Sequence, residues 1–222
     1  MTARILALDA STYAASVALV EGNGVLRERT VVMRDPRHER LMPAVAETLG
    51  QGGVTEIDGI ICGAGPGSFT SLRIAASIAK GLAAASGKPL FAVSSLALLI
   101  AGSESGPPAG RWLSLLDAMR GESFAQLFEV TAAGEISAAS ELRVVREEAI
   151  TALARSMAAR TAGRGRELEA TPHARGVVRL ATHAGPGSPV DLDSWEPDYG
   201  RLAEAQVRWE SAHGRSLDGR PW

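Results

Sequence analysis

A chain of 222 residues is long enough to bury a sizeable core, in one large domain or in two small ones. Its 23 basic and 25 acidic residues give a net charge of -2. The chain therefore lacks the basic excess expected of a protein that binds nucleic acid on its own. The single cysteine, Cys62, excludes an internal disulfide and a multi-cysteine metal cage, and it favours a reducing compartment.

The beginning of the sequence predicts a cytoplasmic protein. Residues 1–4 lead directly into the apolar run 5–8, without the features of a secretory leader. No apolar stretch reaches the length of about 20 residues that spans a bilayer. We therefore expect a cytoplasmic location and no membrane partner.

Three antiparallel strands are predicted at the start of the fold, over residues 4–11, 16–20 and 25–33, with turn residues at 21–24. A helix is predicted over residues 39–49 because Leu41, Val45 and Leu49 are spaced four residues apart, which gives one apolar face. Pro43 must then lie in the first turn or kink this helix.

A strand, a glycine-rich turn and a long helix follow. The strand is predicted over residues 57–63, the turn over 63–68, and the helix over Phe69–Ser86, where Gly87 and Pro89 end it.

A domain boundary is predicted after one further strand and one short helix. The strand covers residues 90–93, and Ser94 and Ser95 cap a helix that runs to residue 101. Residues 102–110 have the composition of a linker. The prediction is therefore an N-terminal domain at 1–102 and a C-terminal domain at 103–222.

The pattern restarts after the linker, which indicates two related halves. Strands are predicted over residues 112–117 and 123–130, and a helix over 147–160. Residues 176–181 have the composition of a strand, and a last helix is predicted over 201–212.

The predicted fold class is α/β, with two mixed sheets flanked by helices. An apolar strand that ends in aspartate, followed by a polar turn and a hairpin and then repeated, resembles the actin/Hsp70/sugar-kinase superfamily of ribonuclease-H-like double domains. Asp9 and Asp117 are the two strand-ending aspartates.

A sharper resemblance lies in the turn and the long helix that follows it. Residues 65–74 read Gly-Pro-Gly-Ser-Phe-Thr-Ser-Leu-Arg-Ile. This stretch resembles the signature Gly-Pro-Gly-Ser-Phe-Thr-Gly-Leu-Arg-Ile of the TsaB (YeaZ) family, with Ser71 in place of glycine. Further similar stretches, in the expected order, are residues 8–12, 38–43, 117–122 and 196–201.

The resemblance implies a non-catalytic partner of TsaD. TsaD transfers threonylcarbamoyl from threonylcarbamoyl-AMP to N6 of adenosine 37 in tRNA, and the ATPase TsaE joins the pair. The implied protein has no cofactor of its own, since ATP/ADP and the metal belong to the partner complex. It meets tRNA only through that complex, and the surface that docks TsaD also allows a homodimer when TsaD is absent.

Two helices are predicted to form the surface that docks TsaD. Small side chains recur every four residues along Phe69–Ser86, which lets a second helix approach closely, and Arg73 and Lys80 are placed at the rim. The predicted interface residues are His38, Leu41, Met42, Val45, Leu49, Leu72, Arg73, Ala75, Ile78 and Ala79.

A phosphate or nucleotide contact is the alternative role of the glycine-rich turn, since backbone N–H groups before a helix attract anions. The turn lacks the Lys-Ser/Thr ending of a Walker loop, so a tight turn capped by Ser68 or Thr70 is the competing interpretation. The candidate contacts are Asp9, Ser11, Gly65, Gly67, Ser68, Asp117 and Arg120. Asp9 and Asp117 either hold magnesium across a cleft, as in kinases of this superfamily, or cap their own turns.

Two enzymatic alternatives stay open, an ATP-dependent kinase of the same superfamily and a glycoprotease-type peptidase. The histidines, His38, His173, His183 and His213, lack the HxxH and HxxxH spacings of a metal pair. Ser68 lacks the Gly-x-Ser-x-Gly elbow of a serine nucleophile. Both observations favour a scaffold without catalytic residues.

Overall fold

A computed structural model describes residues 3–33, 40–181 and 187–200 of the chain. His38 and the helix predicted over residues 201–212 lie outside the described residues.

The first sheet has five strands, in the order β3-β2-β1-β4-β5. These strands are β1 (Arg4–Asp9), β2 (Ala14–Glu21), β3 (Gly24–Val32), β4 (Gly59–Gly63) and β5 (Leu90–Val93). Strands β1, β2 and β3 pair antiparallel, whereas β4 and β5 extend the sheet in parallel beyond β1. The three predicted antiparallel strands are confirmed.

Helices cover both faces of the first sheet. Successive side chains of a strand point to opposite faces, so neighbouring residues of β1 enter different cores. Leu6 and Leu8 of β1 pack in one core with helices α1 (Leu41–Leu49) and α2 (Phe69–Ser86). Ala7, between them, packs in the opposite core with α3 (Ser95–Ala101).

Helix boundaries in this half agree closely with the sequence pattern. Helix α2 spans the predicted residues, and Gly87 ends it in the left-handed conformation, with φ of 67°. Ser94 is the N-cap of α3, and its side chain accepts a hydrogen bond from the Ala97 N–H. Pro43 lies in the first turn of α1, where its missing N–H breaks no helical hydrogen bond.

The second sheet has the path β11-β10-β6-β7-β8, and β9 also pairs with β7. Its strands are β6 (Gly110–Asp117), β7 (Glu122–Val130), β8 (Ile136–Ala138), β9 (Arg143–Arg146), β10 (Arg160–Gly163) and β11 (Leu168–Glu169). The hairpin of β6 and β7 is extended in parallel by β10, as the first hairpin is by β4. The predicted restart of the pattern is confirmed.

In the second half, one predicted helix is shorter than expected and one predicted strand is wrong. The helix predicted over 147–160 is a 3-10 turn, Glu147–Ala149, followed by the short helix α4 (Ile150–Ser156), and Arg160 already belongs to β10. The strand predicted over 176–181 is helix α5 (Val177–Ala181). Val177 packs in the same core as Ala7, so tertiary packing outweighs the β propensity of the two valines.

The chain returns to the first sheet after the second one. The Val190 N–H donates to the Leu90 carbonyl at 2.8 Å, and Val190, Leu192 and Trp195 pack against the core formed with α1 and α2. The boundary at residues 102–103 stays a prediction, but both α5 and residues 190–195 contact the first half.

Candidate partner-docking site

The turn between β4 and α2 is held by a buried polar network around Asp9. The Ser95 hydroxyl donates to Asp9 Oδ2 at 2.6 Å and accepts the Gly65 N–H at 3.1 Å. Ser11 donates to Asp9 Oδ1 through both its N–H, at 3.0 Å, and its hydroxyl, at 2.7 Å. One carboxylate therefore connects the end of β1, the glycine-rich turn and the start of α3.

Asp9 has no exposed surface, and both of its carboxylate oxygens already have protein partners. Burial raises the pKa of this carboxyl group, and the hydrogen bonds from Ser95 and Ser11 offset part of that rise. The predicted phosphate contact is therefore corrected for Asp9 and for the buried Ser11, since neither side chain reaches solvent.

The glycine-rich turn packs against protein backbone. Gly65 has a φ of 93°, and a Cβ there would meet the carbonyl oxygen of Asp198. A Cβ on Gly67 would meet the backbone of Ser11, and the Ser68 N–H donates to the Ser11 carbonyl at 2.7 Å. The N–H of Ser68 thus bonds within the protein, which favours the structural interpretation of this turn.

The predicted cap of α2 differs in detail from the structure. Ser68 occupies the N-cap position, but its side chain accepts no hydrogen bond from the helix backbone. Its hydroxyl donates to the Ser71 hydroxyl at 3.1 Å. Ser71, which replaces the glycine of the similar signature, therefore provides a partner for Ser68.

Asp117 is the last residue of β6, Arg120 lies in the turn that follows it, and both residues are exposed. Asp117 Oδ1 accepts the Met119 N–H at 2.7 Å, which repeats the bond from the Ser11 N–H to Asp9 in the first half. Each aspartate thus caps its own turn, which was one of the two interpretations left open. The difference is burial, since Asp9 is enclosed and Asp117 is exposed.

Cys62 and His173 are further side chains that could take part in chemistry, and their surroundings disfavour their charged forms. Burial, and then the charge of Asp9, raise the pKa of the Cys62 thiol, which disfavours the thiolate. Burial, and then the charge of Arg175, lower the pKa of His173 to about 4. The described residues contain no group of three or more His, Cys, Asp or Glu side chains placed to hold a metal ion.

An apolar groove lies between α1 and α2. It encloses about 500 Å³ and opens to solvent. We call it the α1–α2 groove. It is lined by Met42, Phe69, Thr70, Arg73, Ile74, Ser77 and Ile78.

The predicted interface residues divide between this groove and the core. Met42, with 41% of its surface exposed, and Arg73 and Ile78 line the groove. The other six described residues are buried against the sheet and are corrected as contact residues, because a buried side chain cannot meet a partner. They are Leu41, Val45, Leu49, Leu72, Ala75 and Ala79.

The small-residue stripe of α2 faces inward. Ala75, Ala79 and Ala83 belong to the core that contains Ile60 of β4. Small side chains let a helix lie close to its own sheet, so this stripe serves internal packing. The exposed side of α2 carries Thr70, Arg73 and Ser77 instead, and these residues line the α1–α2 groove.

An aromatic cluster that the sequence pattern did not indicate forms one rim of the groove. Phe69 and Tyr199 have ring centroids 4.6 Å apart, and the Arg73 guanidinium lies 4.0 Å from the Phe69 centroid. Arg73 Nε also donates to the Tyr199 hydroxyl at 3.1 Å. Tyr199 is distant in sequence from α2, so helical periodicity could not place it here.

The predicted rim residue Lys80 is engaged elsewhere. Its ammonium group donates to the Trp195 carbonyl at 2.9 Å, which ties the returning segment to α2. Lys80 is not among the residues that line the α1–α2 groove.

The architecture defines the class of protein. Two mixed α/β sheets, each a hairpin extended by parallel strands and each with an aspartate at the end of its first strand, form a ribonuclease-H-like fold of the actin/Hsp70/sugar-kinase type. Within the described residues, no helix is long and apolar enough to cross a membrane.

Comparisons with known proteins give the family. The family model described as "TsaD: tRNA N6-adenosine threonylcarbamoyltransferase" matches residues 32–170. The chain is 29% identical to the "tRNA threonylcarbamoyladenosine biosynthesis protein TsaB" of Bacillus subtilis, over 92% of this chain and 97% of that one. It is 37% identical to the TsaB of Escherichia coli, where the match covers 54% of this chain and about half, 53%, of the relative.

A solved structure shares the fold over nearly its whole length. The structure titled "YeaZ from Pseudomonas aeruginosa" superposes with a TM-score of 0.71 and 29% identity, over 89% of this chain and 99% of that one. The chain belongs to the TsaB (YeaZ) family, within the broader group that the TsaD model describes.

Proposed function

We propose that this chain is a non-catalytic scaffold subunit in the formation of threonylcarbamoyladenosine in tRNA. In this proposal it docks TsaD and, together with TsaE, supports the transfer of threonylcarbamoyl from threonylcarbamoyl-AMP to N6 of adenosine 37. Its TsaB relatives carry the name of this biosynthesis, which supports the pathway.

The observation that carries the proposal is the contrast between two places on the first half. The position where a superfamily kinase would hold metal and phosphate is occupied by a fully buried carboxylate with protein partners on both oxygens. The α1–α2 groove, in contrast, leaves Met42 exposed and Ile74 and Ile78 half-buried. Exposed apolar surface of this kind marks contact with another protein.

The groove is suited to a helix of similar character. Its floor is apolar, and Thr70, Arg73 and Ser77 supply a polar rim, which is the usual arrangement of a protein interface. A partner with a similar fold would bring similar helices, so TsaD fits this surface better than an unrelated protein does. The same surface permits a homodimer when TsaD is absent.

A direct test places a large like charge in the groove. Ser77 is exposed and lies one turn beyond Arg73, so Ser77→Arg adds bulk and repulsion at the contact while changing folding stability by only about 0.2–0.5 kcal/mol. Ala85→Arg is the matched control, because Ala85 is exposed on the same helix but does not line the groove.

Binding to TsaD is measured by titration calorimetry and gel filtration. Ser77→Arg should weaken binding about tenfold or more, since an unpaired charge buried in an interface is costly. Ala85→Arg should bind like the original chain. Equal binding by all three proteins would place the TsaD contact elsewhere.

The kinase alternative makes the opposite prediction for the isolated chain. A kinase of this superfamily would turn over ATP at roughly 1–1000 per second. The scaffold proposal expects no such turnover, because Asp9 has no exposed surface. The peptidase alternative needs a general base beside the Ser68 hydroxyl. That hydroxyl donates instead to the Ser71 hydroxyl, which is not a base of this kind.

A further inference from the structure

Arg73 is held in one orientation at the rim of the α1–α2 groove. Its guanidinium lies 4.0 Å from the Phe69 ring centroid and 5.6 Å from the Tyr199 ring centroid, and its Nε donates to the Tyr199 hydroxyl at 3.1 Å. An exposed arginine without such contacts moves among many rotamers, and it loses that freedom when it binds a partner. Two rings and one hydrogen bond already restrict Arg73, so little of this cost remains.

The described part of the chain leaves most of the hydrogen-bonding capacity of Arg73 unused. A guanidinium has five N–H donors, and the one on Nε goes to Tyr199. Among the described residues, no carboxylate forms an ion pair with Arg73. The two terminal nitrogens are therefore available to a ligand that accepts two hydrogen bonds.

The surroundings of Arg73 favour a protein carboxylate over a nucleic-acid phosphate as that ligand. Guanidinium groups bind both anions through paired N–H donors. A phosphate backbone is held by several cations at once, whereas Arg73 is the one charged residue among the described residues that line the groove. Met42, Ile74 and Ile78 beside it supply apolar surface, which is typical of a contact between proteins.

We propose that Arg73 is the residue by which the α1–α2 groove recognises its partner, and that it binds an aspartate or glutamate side chain at the edge of a partner helix. The inference rests on the proposed function, in which this partner is TsaD. A carboxylate accepts two parallel N–H bonds from one guanidinium, so the pair fixes the position of the partner along the groove and adds affinity. Phe69 and Tyr199 are positioning residues that act through Arg73.

Binding of TsaD by the full chain is measured by titration calorimetry for two substitutions of Arg73. Arg73→Gln should weaken binding about tenfold to a hundredfold, because a charge-assisted pair of hydrogen bonds is lost. Arg73→Lys keeps the charge but loses the planar pair of donors, so it should also bind less tightly than the original chain. Circular dichroism checks that both variants are folded.

Arg155→Gln is the matched control, because Arg155 is exposed on α4 of the second half and does not line the groove. It removes the same charge and should bind TsaD like the original chain. Unchanged affinity in Arg73→Gln or in Arg73→Lys would overturn the proposal. An equal loss in Arg155→Gln would show a general effect of net charge and would overturn it as well.

Tyr199→Phe tests the positioning role, since it removes the hydroxyl that accepts the Arg73 hydrogen bond and keeps the ring. It should weaken TsaD binding about twofold to tenfold. The double variant of Tyr199→Phe and Arg73→Gln should bind no more weakly than Arg73→Gln alone, because two residues that act through one contact are not additive. Additive losses would refute the positioning role of Tyr199.

The partner carboxylate is found by exchanging the exposed aspartates and glutamates of TsaD for their amides, one at a time. One such variant should lose affinity by about the same factor as Arg73→Gln, and combining the two changes should weaken binding little further. Additive losses for every TsaD variant would overturn the proposal. An Arg73→Gln chain that binds TsaD normally would also overturn it if only tRNA retention by the complex falls, since the ligand is then a phosphate, or if only self-association changes in light scattering, since the occupant is then a second copy.

Failure of this inference differs from failure of the proposed function. One carboxylate cannot satisfy two guanidinium groups, so Ser77→Arg should still leave an unpaired charge in the contact. If Ser77→Arg loses TsaD binding and Arg73→Gln keeps it, the docking surface stands and recognition by Arg73 is refuted. If Ser77→Arg binds TsaD normally, the docking surface itself is wrong.

Discussion

Removing the Ser95 hydroxyl should destabilise the protein far more than removing the hydroxyl next to it. Ser95→Ala leaves the Gly65 N–H and Asp9 Oδ2 without their partner, and Ser95 has no exposed surface through which water could replace it. Each buried group left without a partner costs about 1–3 kcal/mol, so the free energy of unfolding should fall by about 2–6 kcal/mol. That is a large share of a typical total stability of about 5–15 kcal/mol.

Ser94→Ala is the matched control for this experiment. Ser94 caps the same helix through one long hydrogen bond, of 3.4 Å, to the Ala97 N–H. Loss of an N-cap costs about 1 kcal/mol. Urea unfolding followed by circular dichroism measures both variants, and thermal unfolding should show about 2–4 °C of Tm per kcal/mol for a chain of this size. Equal destabilisation by the two substitutions would refute the view that the Asp9 network holds the glycine-rich turn.

Three further predictions concern packing and pH. Gly67→Ala should lower the free energy of unfolding by on the order of 1–3 kcal/mol, because its Cβ meets the backbone of the turn after β1. Gly81→Ala, in open space on α2, should instead stabilise the helix by about 0.5–1 kcal/mol, and equal urea midpoints for the two variants would contradict this prediction. Ala79→Asp should prevent folding, because it buries a charge at a position with no exposed surface, whereas Ser77→Asp should leave Tm nearly unchanged. A folded Ala79→Asp chain, seen by circular dichroism, would refute the inward orientation of the small-residue stripe of α2. Burial lowers the pKa of His173 from 6.5 to about 4, so its contribution to stability is present above pH 6.5 and is lost as the pH falls towards 4. His173→Asn should therefore flatten the dependence of the free energy of unfolding on pH between these values. An unchanged pH dependence would contradict this prediction.

The helix α2 was predicted from the sequence with its bounds, because strong punctuation flanks it. Gly65 and Gly67 precede it, and Gly87 ends it in the left-handed conformation. The orientation of its small-residue stripe was not predicted correctly. Periodicity shows that Ala75 and Ala79 share a face, but it does not show whether the chain's own sheet or a partner covers that face.

The second half was harder to predict because its elements are short. Residues 177–181 are apolar except for Arg179, and the length of this run suits a strand as well as a helix turn, so periodicity cannot separate the two. Strand β9 carries two arginines and two valines over four residues, and its pairing with β7 is decided by tertiary contacts.

The candidate site was predictable in part. The sequence placed Met42, Arg73 and Ile78 on the docking surface, and the structure brings them together in the α1–α2 groove. It could not place Tyr199 at the rim, because a contact between residues 126 positions apart leaves no local pattern. The burial of Asp9 was also beyond the sequence, since the partner Ser95 lies 86 positions away.

The proposed role of the chain is to support tRNA modification by docking TsaD and not by chemistry of its own. It is tested most directly by reconstituting threonylcarbamoyl transfer to tRNA with TsaD, TsaE and threonylcarbamoyl-AMP, and by quantifying the modified adenosine by mass spectrometry. We expect little product without this chain, full product with the original chain or Ala85→Arg, and a loss with Ser77→Arg that parallels its loss of TsaD binding. Normal product formation with a Ser77→Arg chain that no longer binds TsaD would contradict the claim.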